Sequence, residues 1–181
     1  MKKFLFLLFL LPLLVSAQVE SYGLPLDSAT GLITFTGVVK VSPAGPQELF
    51  IRALQFVSQT FQNPDSVIRY KDKDLGKIIF KARTTATADF KKDMPGVINF
   101  EMTIEVKDSR YKYSVSHIDY FETAYPMTAE KIIRNITDPE KLKSARQWCR
   151  LYVDGINKAI PAFIASLNIA MEPTNTPGTN W

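Results

Sequence analysis

Between Ile98 and Val106 the chain alternates apolar and polar residues without a break, Ile98-Asn99-Phe100-Glu101-Met102-Thr103-Ile104-Glu105-Val106. This is the period-two pattern of a strand with one buried and one wet face. Lys107-Asp108-Ser109-Arg110 is a turn signal, and Tyr111-Lys112-Tyr113-Ser114-Val115 alternates again beyond it, so the two runs predict a hairpin. With Asp108-Ser109 as its loop, Val106 opposes Tyr111, Ile104 opposes Tyr113, Met102 opposes Val115 and Phe100 opposes His117. A one-residue slip would turn every apolar side chain of one strand to water, so the pattern fixes the register. Glu105 then lies across from Lys112 on the wet face, an opposite-charge pair that contributes about 0.2 to 1 kcal/mol.

A second hairpin precedes the first. Val67 to Asp72 and Lys77 to Arg83 flank Lys73-Asp74-Leu75-Gly76, and pairing Tyr70 with Ile78 brings Ile68 opposite Phe80 on an apolar inner face. The other face carries Arg69, Lys71, Lys77, Lys81 and Arg83. Further upstream Ile33, Phe35, Gly37, Val39 and Val41 alternate with Thr34, Thr36, Val38 and Lys40, which predicts one more strand after the turn Asp27-Ser28-Ala29-Thr30-Gly31. The stretch from Thr84 to Gly96 is small and polar and predicts a mobile loop between the hairpins.

Helical spacing replaces alternation in two places. Pro46 suits a first helical position, and Leu49, Ala53, Phe56, Val57, Thr60 and Phe61 recur three and four apart until Asn63-Pro64. Near the other end Asp138 reads as an N-cap with Pro139 after it. Leu142, Ala145, Cys149, Tyr152, Ile156, Ala159 and Phe163 then make one apolar seam on a long helix, with Pro161 as a point of bending. Phe121 to Thr137 links sheet to helix, with a helical turn or two around Ala129 to Arg134. The tail from Glu172 to Trp181 has too little apolar area to order itself.

The N-terminal pattern belongs to neither class. Lys2 and Lys3 precede an apolar run from Phe4 to Val15, and Val15-Ser16-Ala17 closes it with small residues, as in a secretory leader cleaved between Ala17 and Gln18. The run is shorter than the ~20 residues a membrane span needs. The expected organisation is therefore a leader over residues 1–17, one domain over 18–171 and a disordered tail over 172–181, in a protein that is periplasmic or secreted. Of 22 basic residues two lie in the leader, and against 18 acidic ones this leaves the mature chain near +2, too little to demand an anionic partner. Cys149 is the only cysteine; it can form no internal disulfide, and its place on the apolar seam makes it a small hydrophobe.

Chemistry-bearing residues are sparse. His117 is the only histidine. No cluster of metal-ligating type surrounds it, no phosphate-binding glycine motif occurs, and no cofactor is expected. Glu101 and Glu105 share a strand face about 13 Å apart, beyond the ~5 to 9.5 Å of glycosidase pairs. A small hydrolase would have to use His117 with Asp119, or Asp72 with Asp74. Nucleic-acid binding would interleave the basic stripe with exposed aromatics, whereas the expected register turns Tyr70 and Phe80 away from it. Asn135-Ile136-Thr137 matches a glycosylation sequon but follows a leader of bacterial type, and is read as chance. The remaining reading is a non-catalytic module whose open sheet face, through Arg69, Lys71, Lys77, Lys81 and Arg83, docks a protein or glycan of the cell envelope.

Three stretches carry a family resemblance: Leu24-Pro25-Leu26-Asp27 with Thr30-Gly31-Leu32-Ile33-Thr34; Arg69-Tyr70-Lys71-Asp72-Lys73-Asp74-Leu75-Gly76-Lys77-Ile78-Ile79; and Thr103-Ile104-Glu105-Val106-Lys107-Asp108-Ser109-Arg110-Tyr111-Lys112-Tyr113. Together they resemble an exported bacterial family of domains of unknown function, number 4468, whose fold is described as similar to the TATA-binding protein. The resemblance implies an α+β domain in the order β-α-β-β-β-β-α, with a five-stranded antiparallel sheet and both main helices on one face. It brings no catalytic or binding residue. Ser109 stands where a glycine is expected in the turn.

Overall fold

The computed structural model describes residues 21–86, 96–121 and 126–173. The elements run β1 (Phe35–Lys40), α1 (Pro46–Thr60), α2 (Pro64–Val67), β2 (Ile68–Asp72), β3 (Lys77–Ala86), β4 (Gly96–Lys107), β5 (Arg110–Phe121), β6 (Met127–Thr128), α3 (Ala129–Thr137) and α4 (Lys143–Met171). The five main strands form an antiparallel sheet in the order β1-β5-β4-β3-β2, and the two-residue β6 adds to the end of β5. The leader and almost all of the tail lie outside the described residues.

The β4–β5 hairpin keeps the expected pairs Val106 with Tyr111, Ile104 with Tyr113 and Met102 with Val115. Ser109 occupies the left-handed region that usually calls for glycine, at φ +56°. The backbone holds it there: Ser109 donates to the Ala44 carbonyl at 2.9 Å, and Val41 donates to the Ser109 carbonyl at 2.9 Å. The expected pair of Phe100 with His117 does not form. The ladder passes from Glu101–Ser116 to Asn99–Asp119, so an extra residue of β5 is accommodated, with His117 at φ +53°. This bulge has a cause in the sequence, because Tyr111, Tyr113 and Val115 face inward at odd positions whereas Ile118 and Tyr120 are buried at even ones. One added residue reconciles the two phases.

A second shift corrects the β2–β3 register. Ile68 faces Phe80 as expected, but Tyr70 pairs with Ile79 and Lys71 with Ile78, with Arg69 at the irregularity. The loop expected from Thr84 is also shorter than predicted at both ends. Thr84, Thr85 and Ala86 pair with Ile98, Val97 and Gly96, and residues 87–95 lie outside the described part.

α1 begins with Pro46 in its first turn and buries Leu49, Phe50, Ala53, Phe56 and Val57. α4 starts later than expected. Asp138 is the C-cap of α3 rather than an N-cap, and its Oδ1 accepts the Glu140 N–H at 2.9 Å in the turn that follows. Aspartate before proline serves turns as well as helix starts, so Leu142 falls before the helix and is 75% exposed. From Lys143 the helix continues through Pro161 to Met171.

Ile98, Phe100, Met102, Ile104 and Val106 are all buried beneath α1 and α4, as the alternation required. Phe163 of α4 meets Phe100 edge-on at 5.0 Å and Phe56 of α1 at 5.6 Å, which joins both helices to the middle strand. Tyr120 lies next to this junction, opposite Ile98, and is stacked on Tyr152 at 4.5 Å. Its ring leaves no room for a side chain at Gly96, where a Cβ would lie 2.6 Å from Tyr120 Cε1, and packs closely on Gly155, where a Cβ would lie 3.2 Å from Tyr120 Cε2. The expected turn at Asp27 is closed by its side chain, Asp27 Oδ1 accepting the Ala29 and Thr30 N–H groups at 2.9 Å each. Glu130 at the start of α3 fastens the segment by accepting the Ile33 N–H at 2.8 Å.

Candidate binding face

Because α1 and α4 cover one side of the sheet, the alternate residues of every strand form its other side. Register sorts them into rows that cross the strands. One row reads Asp72, Lys77, Glu105, Lys112 and Val38, so charge alternates in sign from β2 to β5. Lys77 Nζ lies 3.5 Å from Glu105 Oε1, and Glu105 faces Lys112 as the sequence required. The next row is Tyr70, Ile79, Thr103, Ser114 and Thr36, and beyond it come Lys81, Glu101 and Ser116. Arg83, Asn99 and Asp119 form the last charged row, in which Arg83 Nε donates to Asn99 Oδ1 at 3.1 Å.

The five basic residues expected to share this face are divided by the β2 register. Lys77, Lys81 and Arg83 belong to it. Lys71, opposite Ile78, has the parity of the helix-covered side, and Arg69 sits at the bulge. Tyr70 moves the other way: it joins the open face, 41% exposed, with its hydroxyl 3.2 Å from Asp72 Oδ2. The sequence placed it inside because an even count from Ile68 was assumed to hold across Arg69.

The bulge presents His117 to solvent on this face, its side chain 64% exposed and Nδ1 3.9 Å from Glu101 Oε1. Ser116 Oγ lies 3.0 Å from the same Nδ1. A hydroxyl nucleophile and an orienting acid must engage opposite ring nitrogens for the ring to pass a proton between them. Here both neighbours address one nitrogen, so the trio is not set for that relay. Asp72 Oδ1 accepts the Leu75 N–H at 2.9 Å, and this bond holds its carboxyl below the usual range. It closes the β2–β3 turn, in which the Asp74 backbone N–H also helps to lower the Asp72 pKa. Among the described residues no three His, Cys, Asp or Glu side chains gather as a metal site. Cys149 is buried, and burial raises its thiol pKa.

A depression of about 560 Å³ lies at this end of the sheet. Lys81, Arg83, Asn99, Glu101, His117 and Asp119 contribute its polar wall, and Phe61, Val67, Ala82 and Phe100 its apolar wall. Burial, then repulsion from Glu130, raises the Asp119 pKa, with His117 and Lys81 opposing. A raised carboxyl pKa means that the fold disfavours the ionised form, so Asp119 weakens the fold above its folded pKa and ceases to do so as the pH falls through it. Asp119→Asn is expected to raise the melting temperature at neutral pH, and the gain should shrink toward about pH 4. Thermal melts at both values check it, and a gain that grows on acidification contradicts it.

A five-stranded antiparallel sheet with both long helices on one side, its other face uncovered among the described residues, is the architecture of the TBP-like α+β domains. Residues 35–121 match the model of the family described as a domain of unknown function (DUF4468) with TBP-like fold. A TBP-like protein from Parabacteroides distasonis ATCC 8503 superposes with a TM-score of 0.59 at 17% identity, over 78% of this chain and 94% of that one. A DUF4468 family protein from Bacteroides ovatus ATCC 8483 does so with a TM-score of 0.57 at 13% identity, over 84% and 94%. At such identities the likeness is one of fold. No curated protein matches the chain. Among the described residues no helix is long and apolar enough to cross a membrane.

Proposed function

We propose that the protein is an exported, non-catalytic interaction module, a single domain from Gln18 to Met171 that docks a protein partner of the cell envelope on its open sheet face. The observation that carries this reading is the row pattern. Cations and carboxylates alternate across neighbouring strands, and Tyr70, Ile79 and Val38 add apolar area among them. A surface of both signs suits a protein of complementary mixed charge. A polyanionic glycan lying across the strands would meet Asp72, Glu101, Glu105 and Asp119 among the cations and gain little.

The test uses the mature chain to capture partners from a native envelope extract. The triple variant Lys77→Glu, Lys81→Glu, Arg83→Glu is expected to abolish capture with the melting temperature within a few degrees of the parent, since exposed positions rarely shift stability by more than ~0.5 kcal/mol. Lys71→Glu, on the other side of the sheet, should leave capture intact. Equal capture by parent and triple variant would sink the reading.

A further inference from the structure

The two ladders of β3 end at different places. β2 pairs with β3 only from Lys77 to Phe80, whereas β4 continues beside it to Ala86. Six residues, Lys81 to Ala86, are therefore an edge without a strand partner among the described residues. An edge of this length presents a backbone N–H and C=O outward at every second residue. The chain leading into β2 turns aside there through α2, and the 560 Å³ depression opens against the bare edge, with Phe61 and Val67 on its helix side and Lys81 and Arg83 on the other.

We infer that this edge is a second binding site, which takes an extended acidic peptide as an added strand continuing the line of β2. Two features select that occupant. An added strand alternates its side chains, so one set lies by Phe61, Val67 and Ala82 while the other lies by Lys81 and Arg83, which stand on the edge strand itself, with Glu101 and Asp119 one and two strands further in; apolar and acidic residues in alternation satisfy both. A second copy of this chain is the poorer guest. Antiparallel self-pairing that keeps each face continuous and uses the whole of Lys81 to Thr85 centres on residue 83 and sets Arg83 directly against Arg83, and like charges in that position are destabilising.

This site is separate from the face proposed above although it shares two cations with it, so the experiment separates backbone pairing from charge. The mature chain, labelled for amide NMR, is titrated with a synthetic hexapeptide Val-Glu-Val-Asp-Val-Glu, capped at both ends. The same peptide N-methylated at alternate residues, in both phases, and a Val-Lys counterpart are the controls. Shifts are expected to centre on Lys81 to Ala86 and on Phe61 and Val67, with affinity reduced at least tenfold by N-methylation in one phase and by the pair Lys81→Glu, Arg83→Glu. The Val-Lys peptide should bind at least tenfold more weakly than the acidic one.

Equal binding of both N-methylated forms, or equal binding of the Val-Lys peptide, overturns the edge site. Shifts centred on Thr103, Glu105 and Lys112 overturn it too, and would instead favour docking on the open face. No shift up to millimolar peptide also overturns it, and leaves the face to be judged by its own capture test.

Discussion

Phe100→Ala should be among the most damaging single substitutions in this protein, lowering stability by about 3 to 5 kcal/mol. Phe100 is 2% exposed, and its ring holds the edge of Phe163, which in turn holds Phe56. Removing it leaves a cavity where the middle strand meets both helices, and little can collapse into it because three rigid elements line it. At ~2 to 4 °C per kcal/mol for a chain of this size, the melting temperature should fall by about 10 °C. Phe100→Leu fills most of the volume and forgoes the ring–ring geometry, worth about 0.5 to 1.5 kcal/mol, so it should recover most of the loss. Equal loss in both variants would mean that the aromatic contacts and not the volume hold this junction.

Gly96→Val is expected to cost a similar amount by the opposite mechanism. The position is buried, and even a Cβ would press on the ring of Tyr120. That ring is 3% exposed and stacked on Tyr152, so it cannot swing aside without disturbing α4. Overpacking of this kind costs about 1 to 3 kcal/mol and more when the backbone must move. The pair Gly96→Val, Tyr120→Leu relieves the collision and should be more stable than Gly96→Val alone. Chemical denaturation of the three proteins checks this, and a double variant no better than the single one would contradict the steric account.

Much of the sheet was legible because alternation is a strong signal where one face is buried. The β4–β5 register followed from Val106, Ile104 and Met102, and the α1 face followed from spacing. The errors fall where the count slips. Both bulges insert one residue, at Arg69 and near His117, and a pattern read with a fixed period carries its phase across them. The second was visible in principle, since the inward residues of β5 change from odd to even after Val115. The first left no such mark, because β2 is short and its side chains are mostly exposed. Asp138 misled for a different reason: the same side chain can accept N–H groups at either end of a helix, and only the packing of α3 decides which.

The candidate site was less legible than the fold. A stripe of basic residues is plain in the sequence, but its membership depends on parity, which the Arg69 slip inverts for Tyr70 and Lys71. The acidic residues among the stripe come from β2, β4 and β5; Glu105 beside Lys112 was legible from the hairpin, and the assembled ladders supply the rest of the rows. The bare edge of β3 has no local signature, because it is set by where β2 stops rather than by anything in Lys81 to Ala86.

The bulge at His117 makes one residue of β5 dispensable to the order of faces on either side of it. Replacement of His117 by glycine or asparagine, which enter the left-handed region readily, keeps the count and so keeps Ile118 and Tyr120 inside. Loss of that one residue would restore an unbroken ladder, with Ile118 opposite Phe100 and Tyr120 still opposite Ile98, so both would keep facing the helices and Asp119 would stay on the open face. Along this strand drift in related sequences therefore has room both to vary the letter at this place and to delete it.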